Sequence, residues 1–126
     1  MAAQRFFVRR NEVEGYHPAN HTGTTNRRLI GRDTVGAQHV EVVHGTLEPG
    51  EGALPHAHPG LEQVCYVLSG RINVKVGGQE AELTAGDCCF FPAEEPHVVV
   101  ALGESPAELL VVYAPPYEEN PDRVIR

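Results

Sequence analysis

Two histidines one residue apart carry the first chemical signal in this 126-residue chain, in the run Pro55-His56-Ala57-His58-Pro59-Gly60-Leu61-Glu62-Gln63. In extended backbone, residues i and i+2 project to the same face, so His56 and His58 can bring both imidazoles to one point. Neutral imidazole suits zinc, iron, nickel, copper and manganese, so the pair reads as half of a metal site. Taken alone, His-x-His is equally well read as two surface histidines beside prolines. Arg27-Arg28 could clamp a carboxylate with parallel N–H donors, or form a solvated pair. Arg27 enters as a candidate substrate contact, and so does His44, which lies on the strand before the histidine pair and shares parity with Val40 and Val42. His17, His21 and His39 are read as solvated. Cys65 is read as a small buried hydrophobe.

The elements that must position these groups are strands. Gln38 to Leu47 carries Val40, Val42 and Val43, and Gln63 to Ser69 is apolar and β-prone. Arg71 to Val76 alternates strictly, with Ile72, Val74 and Val76 on one face and Arg71, Asn73 and Lys75 on the other. Gly77-Gly78 is a two-residue hairpin signal, and Gln79 to Leu83 returns as its partner. Further strands are expected at Cys88–Phe91, His97–Leu102 and Ala107–Ala114, with Pro115-Pro116 ending the last. No segment holds a 3.6-residue period for three turns. Roughly eight short strands separated by turns predict an all-β, antiparallel doubly layered or barrel structure with little or no helix. The barrel is expected over 36–116, preceded by an N-terminal extension at 1–35 and followed by a polar tail at 117–126. Within the extension, Phe6–Val8 and Leu29–Ile30 are candidate edge strands.

Composition excludes several classes. Hydrophobic residues make up 41% and charged ones 21%, a globular balance. Seventeen acids against ten bases give a net charge of −7, which argues against a nucleic-acid partner. No apolar run approaches the roughly 20 residues of a membrane helix. Met1 to Arg10 lacks the apolar core of a secretory signal, and an odd cysteine count with Cys88 and Cys89 adjacent argues against a disulfide framework. A cytoplasmic location is the resulting expectation.

The spacing around the histidines resembles the cupin family. Gly50 stands five residues before His56, His58 follows, and the strand runs on to Gly70; Gly86 is followed after five residues by Pro92 and after four more by His97. Together these cover both cupin motifs, with Ala93-Glu94 and Ala101 departing from frequent family residues at turn positions. The resemblance implies an RmlC-like jelly-roll barrel binding one divalent metal ion (Mn, Fe, Ni or Zn) through His56, His58, Gln63 and His97. Glu62 is the alternative ligand. Counting back from Gly70 selects Gln63, and strand alternation sets Gln63 with Cys65 and Val67 while Glu62 falls on the opposite face.

The resemblance further implies a metal-dependent enzyme acting on a small carboxylate, keto-acid or sugar-acid, as a lyase or isomerase or as an iron-dependent dioxygenase. A non-catalytic small-ligand binding or sensor protein is the alternative. The expected partners are a small anionic ligand and a second copy of the chain in a homodimer.

Overall fold

In the computed structural model, which describes residues 3–126, nine strands form two facing antiparallel sheets. They are β1 (Thr24–Ile30), β2 (Glu41–Leu47), β3 (Gly52–His56), β4 (Glu62–Ser69), β5 (Arg71–Val76), β6 (Gln79–Thr84), β7 (Cys88–Phe91), β8 (His97–Leu102) and β9 (Ala107–Ala114). One sheet has the order β1-β2-β9-β4-β7, and the other the order β3-β8-β5-β6. The only helical pieces among the described residues are single 3-10 turns at Arg10–Glu12 and Pro121–Arg123. The all-β expectation holds, and nine strands replace eight.

The alternation in β5 is realised directly. Ile72 and Val74 are buried while Arg71 and Lys75 are exposed. Val76 pairs with Gln79, leaving Gly77 and Gly78 as the two loop residues, at φ +57 and +76. Positive φ at both positions is what a type I′ turn requires, and glycine meets it without a Cβ penalty. The partner strand β6 lies at the sheet edge and is mostly exposed, with Leu83 alone packed against the core. Gly70, between β4 and β5, has φ +81 and sits so close to β9 that a Cβ would lie 2.9 Å from both the Ala107 Cα and the Pro106 carbonyl oxygen.

The core lies between the sheets, and the register of the five-stranded sheet sets its layers. Glu41 pairs with Tyr113, Tyr113 with Gln63, and Gln63 with Phe91. All four side chains are buried, forming one inward row at the end of the barrel that also carries His56 and His97. The row beneath is Val43, Val111, Cys65 and Cys89. On the outer face of the same sheet Tyr66, Leu68 and Phe90 stay 40%, 41% and 50% exposed, an apolar surface without a cover in the single chain.

The ends differ in part from expectation. Phe6–Val8 forms no strand, and Phe6 and Phe7 stand exposed. The other candidate, Leu29–Ile30, lies in β1, which is longer than expected and forms the edge of the five-stranded sheet, pairing β2 from Thr24↔Leu47 to Ile30↔Val42. The 117–126 stretch is not simply a polar tail. Tyr117 is buried at 4%, Val124 packs on the core, and Ile125 bridges Ala57 through two backbone hydrogen bonds of 2.6 and 2.7 Å.

Candidate metal centre

Three imidazoles meet at the mouth of the barrel. His56 ends β3, His58 lies in the turn after it, and His97 opens β8 directly opposite His56. All three are at most 4% exposed, and their ligand nitrogens lie within 4.8 Å of one another. Each ring is oriented by a backbone carbonyl. Nδ1 of His56 donates to the Leu54 oxygen (2.6 Å), that of His58 to the Arg123 oxygen (2.8 Å) and that of His97 to the Glu95 oxygen (3.1 Å). A carbonyl accepts only, so each Nδ1 carries the proton and each Nε2 keeps a free lone pair. Such backbone partners fix the tautomer and aim of metal-ligating histidines.

The fourth candidate, Gln63, faces inward from β4 and is 8% exposed, while Glu62 is exposed on the outer face. The Oε1 atom of Gln63 and the Nε2 atoms of His58 and His97 are buried without any hydrogen-bond partner. Buried acceptors left unpaired cost about 1–3 kcal/mol each. The converging imidazole nitrogens, with Gln63 lining the same cavity as His56 and His97, fit a divalent cation, which all of them can ligate. Burial lowers all three histidine pKa values, that of His58 to about 4 and that of His97 to about 3, so the rings are neutral at pH 7. Aromatic rings wall the group: Phe91 stacks on His97 at 4.1 Å and Tyr117 lies 4.5 Å from His58.

The two substrate-contact candidates lie elsewhere. Arg27 and His44 are cross-strand partners, and the inward positions of β2 are Glu41, Val43, Gly45 and Leu47, so His44 points to the outer face. There its Nε2 lies 3.4 Å from Glu108, and Arg27 Nε donates to the Val13 oxygen. The arginine that turns inward is Arg28. Its Nε donates to Glu41 at 2.5 Å, and the other Glu41 oxygen accepts from the Glu118 backbone N–H. Glu41 is 1% exposed and neighbours Tyr113, which neighbours Gln63.

Two groups at the mouth were missed in the sequence. Arg123 acts through its carbonyl, which leaves no trace in residue type. His21, read as solvated, is half-buried with its ring 5.4 Å from that of His56, and it lines the cavity beside the centre. Burial lowers its pKa. The cavity lies between the two sheets, lined by His56, Gln63 and His97 together with Asn26, Ala53 and Tyr113, and its free volume of about 30 Å³ admits one or two water-sized groups.

Comparison with known proteins agrees with this geometry. The family described as "Cupin domain" matches residues 43–113, more than half of the chain. A tetracenomycin polyketide synthase protein of Streptomyces glaucescens, TcmJ, is 29% identical over 78% of this chain and 66% of its own length. The chain thus spans about two thirds of that relative. Among solved structures, the polyketide cyclase RemF of Streptomyces resistomycificus superposes with a TM-score of 0.76 at 27% identity, over 91% of this chain and 81% of that one. KdgF from a Halomonas species superposes with a TM-score of 0.79 at 21% identity, over 90% and 98% of the two chains, a likeness of fold. No helix among the described residues is long and apolar enough to cross a membrane.

Proposed function

The chain belongs to the cupin family, and on that premise we propose that it is a metal-dependent enzyme acting on a small carboxylate or keto-acid, with His56, His58, Gln63 and His97 as the ligands. The observation that carries the reading is the convergence of the His56, His58 and His97 imidazoles, with unpartnered buried acceptors on His58, His97 and Gln63, the last lining the same cavity. Three neutral imidazoles and a carboxamide would leave a divalent ion of Mn, Fe, Ni or Zn its full charge, a Lewis acid toward anionic oxygen donors. The protein's own part is positional. Four backbone-anchored or strand-anchored donors hold one geometry, Phe91, Tyr113 and Tyr117 exclude bulk water, and the narrow cavity admits only the small head of a substrate. Polyketide chains carry paired carbonyl oxygens, and the Streptomyces relatives named for polyketide chemistry support a substrate that presents such oxygens to the site.

The donor set is tested by two single substitutions. Gln63→Glu keeps size and adds a negative charge at the donor position, so divalent metal should bind about tenfold or more tighter. Glu62→Gln, on the outer face, should leave affinity within about twofold. Competitive metal titration at pH 7.5 decides, and a larger effect at Glu62 than at Gln63 would overturn the ligand assignment.

We also propose a homodimer packed through the outer face of the five-stranded sheet, supported by the exposed Tyr66, Leu68 and Phe90. Light scattering at micromolar concentration should return twice the chain mass for the native protein and a smaller mass for Tyr66→Lys. A monomeric mass for the native protein overturns it.

A further inference from the structure

His21 reaches the centre by a route separate from the ligand motifs. Residues 20–22 add to the free edge of β3, with Leu54 N–H donating to the Asn20 oxygen and Thr22 N–H to the Gly52 oxygen, both at 2.8 Å. His21 is thereby the cross-strand partner of Ala53, which is buried at 7% and lines the cavity. Partners in an antiparallel pair point to the same face, so the imidazole enters the cavity with the Ala53 side chain. Its Nδ1 lies 2.7 Å from the Ala19 carbonyl and carries the proton there, which leaves Nε2 as an acceptor. His21 is not among the residues whose ligand atoms converge within 4.8 Å. It therefore stands beside the ion's place without joining the ligand set.

The cavity walls are largely apolar, with the Asn26 and Gln63 amides and the Tyr113 hydroxyl as their polar groups besides the imidazoles and Thr24. Leu47, Val99, Leu109 and Val111 are apolar, and the Thr24 hydroxyl already donates to the Thr22 oxygen. The free space of about 30 Å³ is bordered by His56, Gln63 and His97 as well and has to include the place of the ion, so a ligand atom reaching His21 there is small. A small ligand atom that donates a hydrogen bond can pair there with the His21 Nε2.

We propose that His21 is a substrate-contacting residue whose Nε2 accepts a hydrogen bond from a hydroxyl or enol O–H adjacent to the carboxylate, so that the site selects small hydroxy- or enol-bearing acids over plain carboxylates. This inference rests on the metal-centre reading, because the carboxylate end is held at His56, His58, Gln63 and His97.

The test uses the full chain loaded with cobalt(II) or zinc, with glycolate and acetate as probes and calorimetry as the readout. Metal content is measured first in the native protein, His21→Leu and His21→Gln, and one ion per chain is expected in all three. Native protein should prefer glycolate over acetate. In His21→Leu glycolate binding should weaken by about tenfold, the worth of one hydrogen bond, with acetate affinity unchanged. His21→Gln, whose amide oxygen can accept, should recover most of the preference. Chelation of glycolate by the ion is common to all variants and cancels in the comparison. An unchanged preference in His21→Leu, or an equal loss for glycolate and acetate, overturns the inference while leaving the metal centre intact. Native protein that binds no metal overturns the metal-centre reading itself, and the inference with it.

Discussion

Protein carrying His97→Ala should come away from purification with less than a tenth of the metal found in the native chain, which should hold about one divalent ion. His97 is buried, its Nε2 has no other partner, and the nearest further imidazole, His21, lies outside the set of nitrogens that converge. Losing one of four ligands from such a site weakens binding by roughly two to three orders of magnitude. The same substitution at His56 should act alike. Elemental analysis of protein made without a histidine tag, followed by competitive titration, measures both, and native-like metal content in either variant would remove the centre from consideration.

The pH dependence of the same titration carries its own sign. Ordinary histidines near pKa 6.5 would lose about tenfold in affinity per ligand for each pH unit below that value. Here burial lowers the folded-state pKa values, to about 4 for His58 and about 3 for His97, so at pH 5.5 these rings are still free of protons. Affinity should therefore fall at lower pH than for ordinary histidines, with His58 and His97 competing for protons only as pH approaches 4. The metal-free fold behaves differently. Its depressed histidines contribute stability that is fully present above 6.5, declines as the unfolded chain takes up protons below that value, and is gone once pH has passed through the folded values. A steep loss of affinity between pH 7 and 6 would contradict the buried, neutral state of the rings.

Arg28→Ala should destabilise the fold by about 3 kcal/mol, lowering Tm by roughly 10 °C, where Arg27→Ala changes stability by less than about 1 kcal/mol. The two residues are adjacent in sequence and differ in face. Arg28 pairs with Glu41, which is 1% exposed and has only the Glu118 backbone N–H as a second donor. Removing Arg28 leaves an uncompensated carboxylate inside the barrel. Arg27 lies on the outer face against Val13. Because Glu41, Tyr113 and Gln63 occupy one inward row, the loss should also loosen the metal donor set, seen as weaker binding at Gln63's position. Thermal unfolding monitored by circular dichroism checks the first effect and metal titration the second. Equal Tm values for the two variants would show that Glu41 does not depend on Arg28. Arg28→Met combined with Glu41→Gln should recover much of the stability, since the pair is then removed together rather than broken.

Most of the barrel was legible in the chain because its signals are local. Strand alternation has a period of two, so Ile72 and Val74 declare their face within six residues, and Gly77-Gly78 needs only its own φ values to close the β5–β6 hairpin. His56 and His58 were legible as a same-face pair because spacing in extended backbone fixes which side chains share a face, and alternation set Gln63 inward, whereas His97 entered only through the resemblance to the cupin motifs. The face of β2 was harder, since both parities carry apolar residues. Only pairing with β9 shows that Val43 and Gly45 look inward and His44 outward.

What the tertiary structure alone decided lies at the mouth. His21 enters the cavity because residues 20–22 find the edge of β3, and no property of Asn20-His21-Thr22 announces that pairing. His58 is aimed by the carbonyl of Arg123, 65 residues away, in a stretch whose composition reads as a solvated tail. Arg28 and Glu41 become a buried ion pair through the β1–β2 register, while the sequence offers Arg27 and Arg28 as equals. Each of these contacts depends on a backbone group or on an edge pairing between distant segments. Backbone donors and acceptors are the same at every residue, so residue type cannot say where they will be used; the closing of the two sheets against each other does.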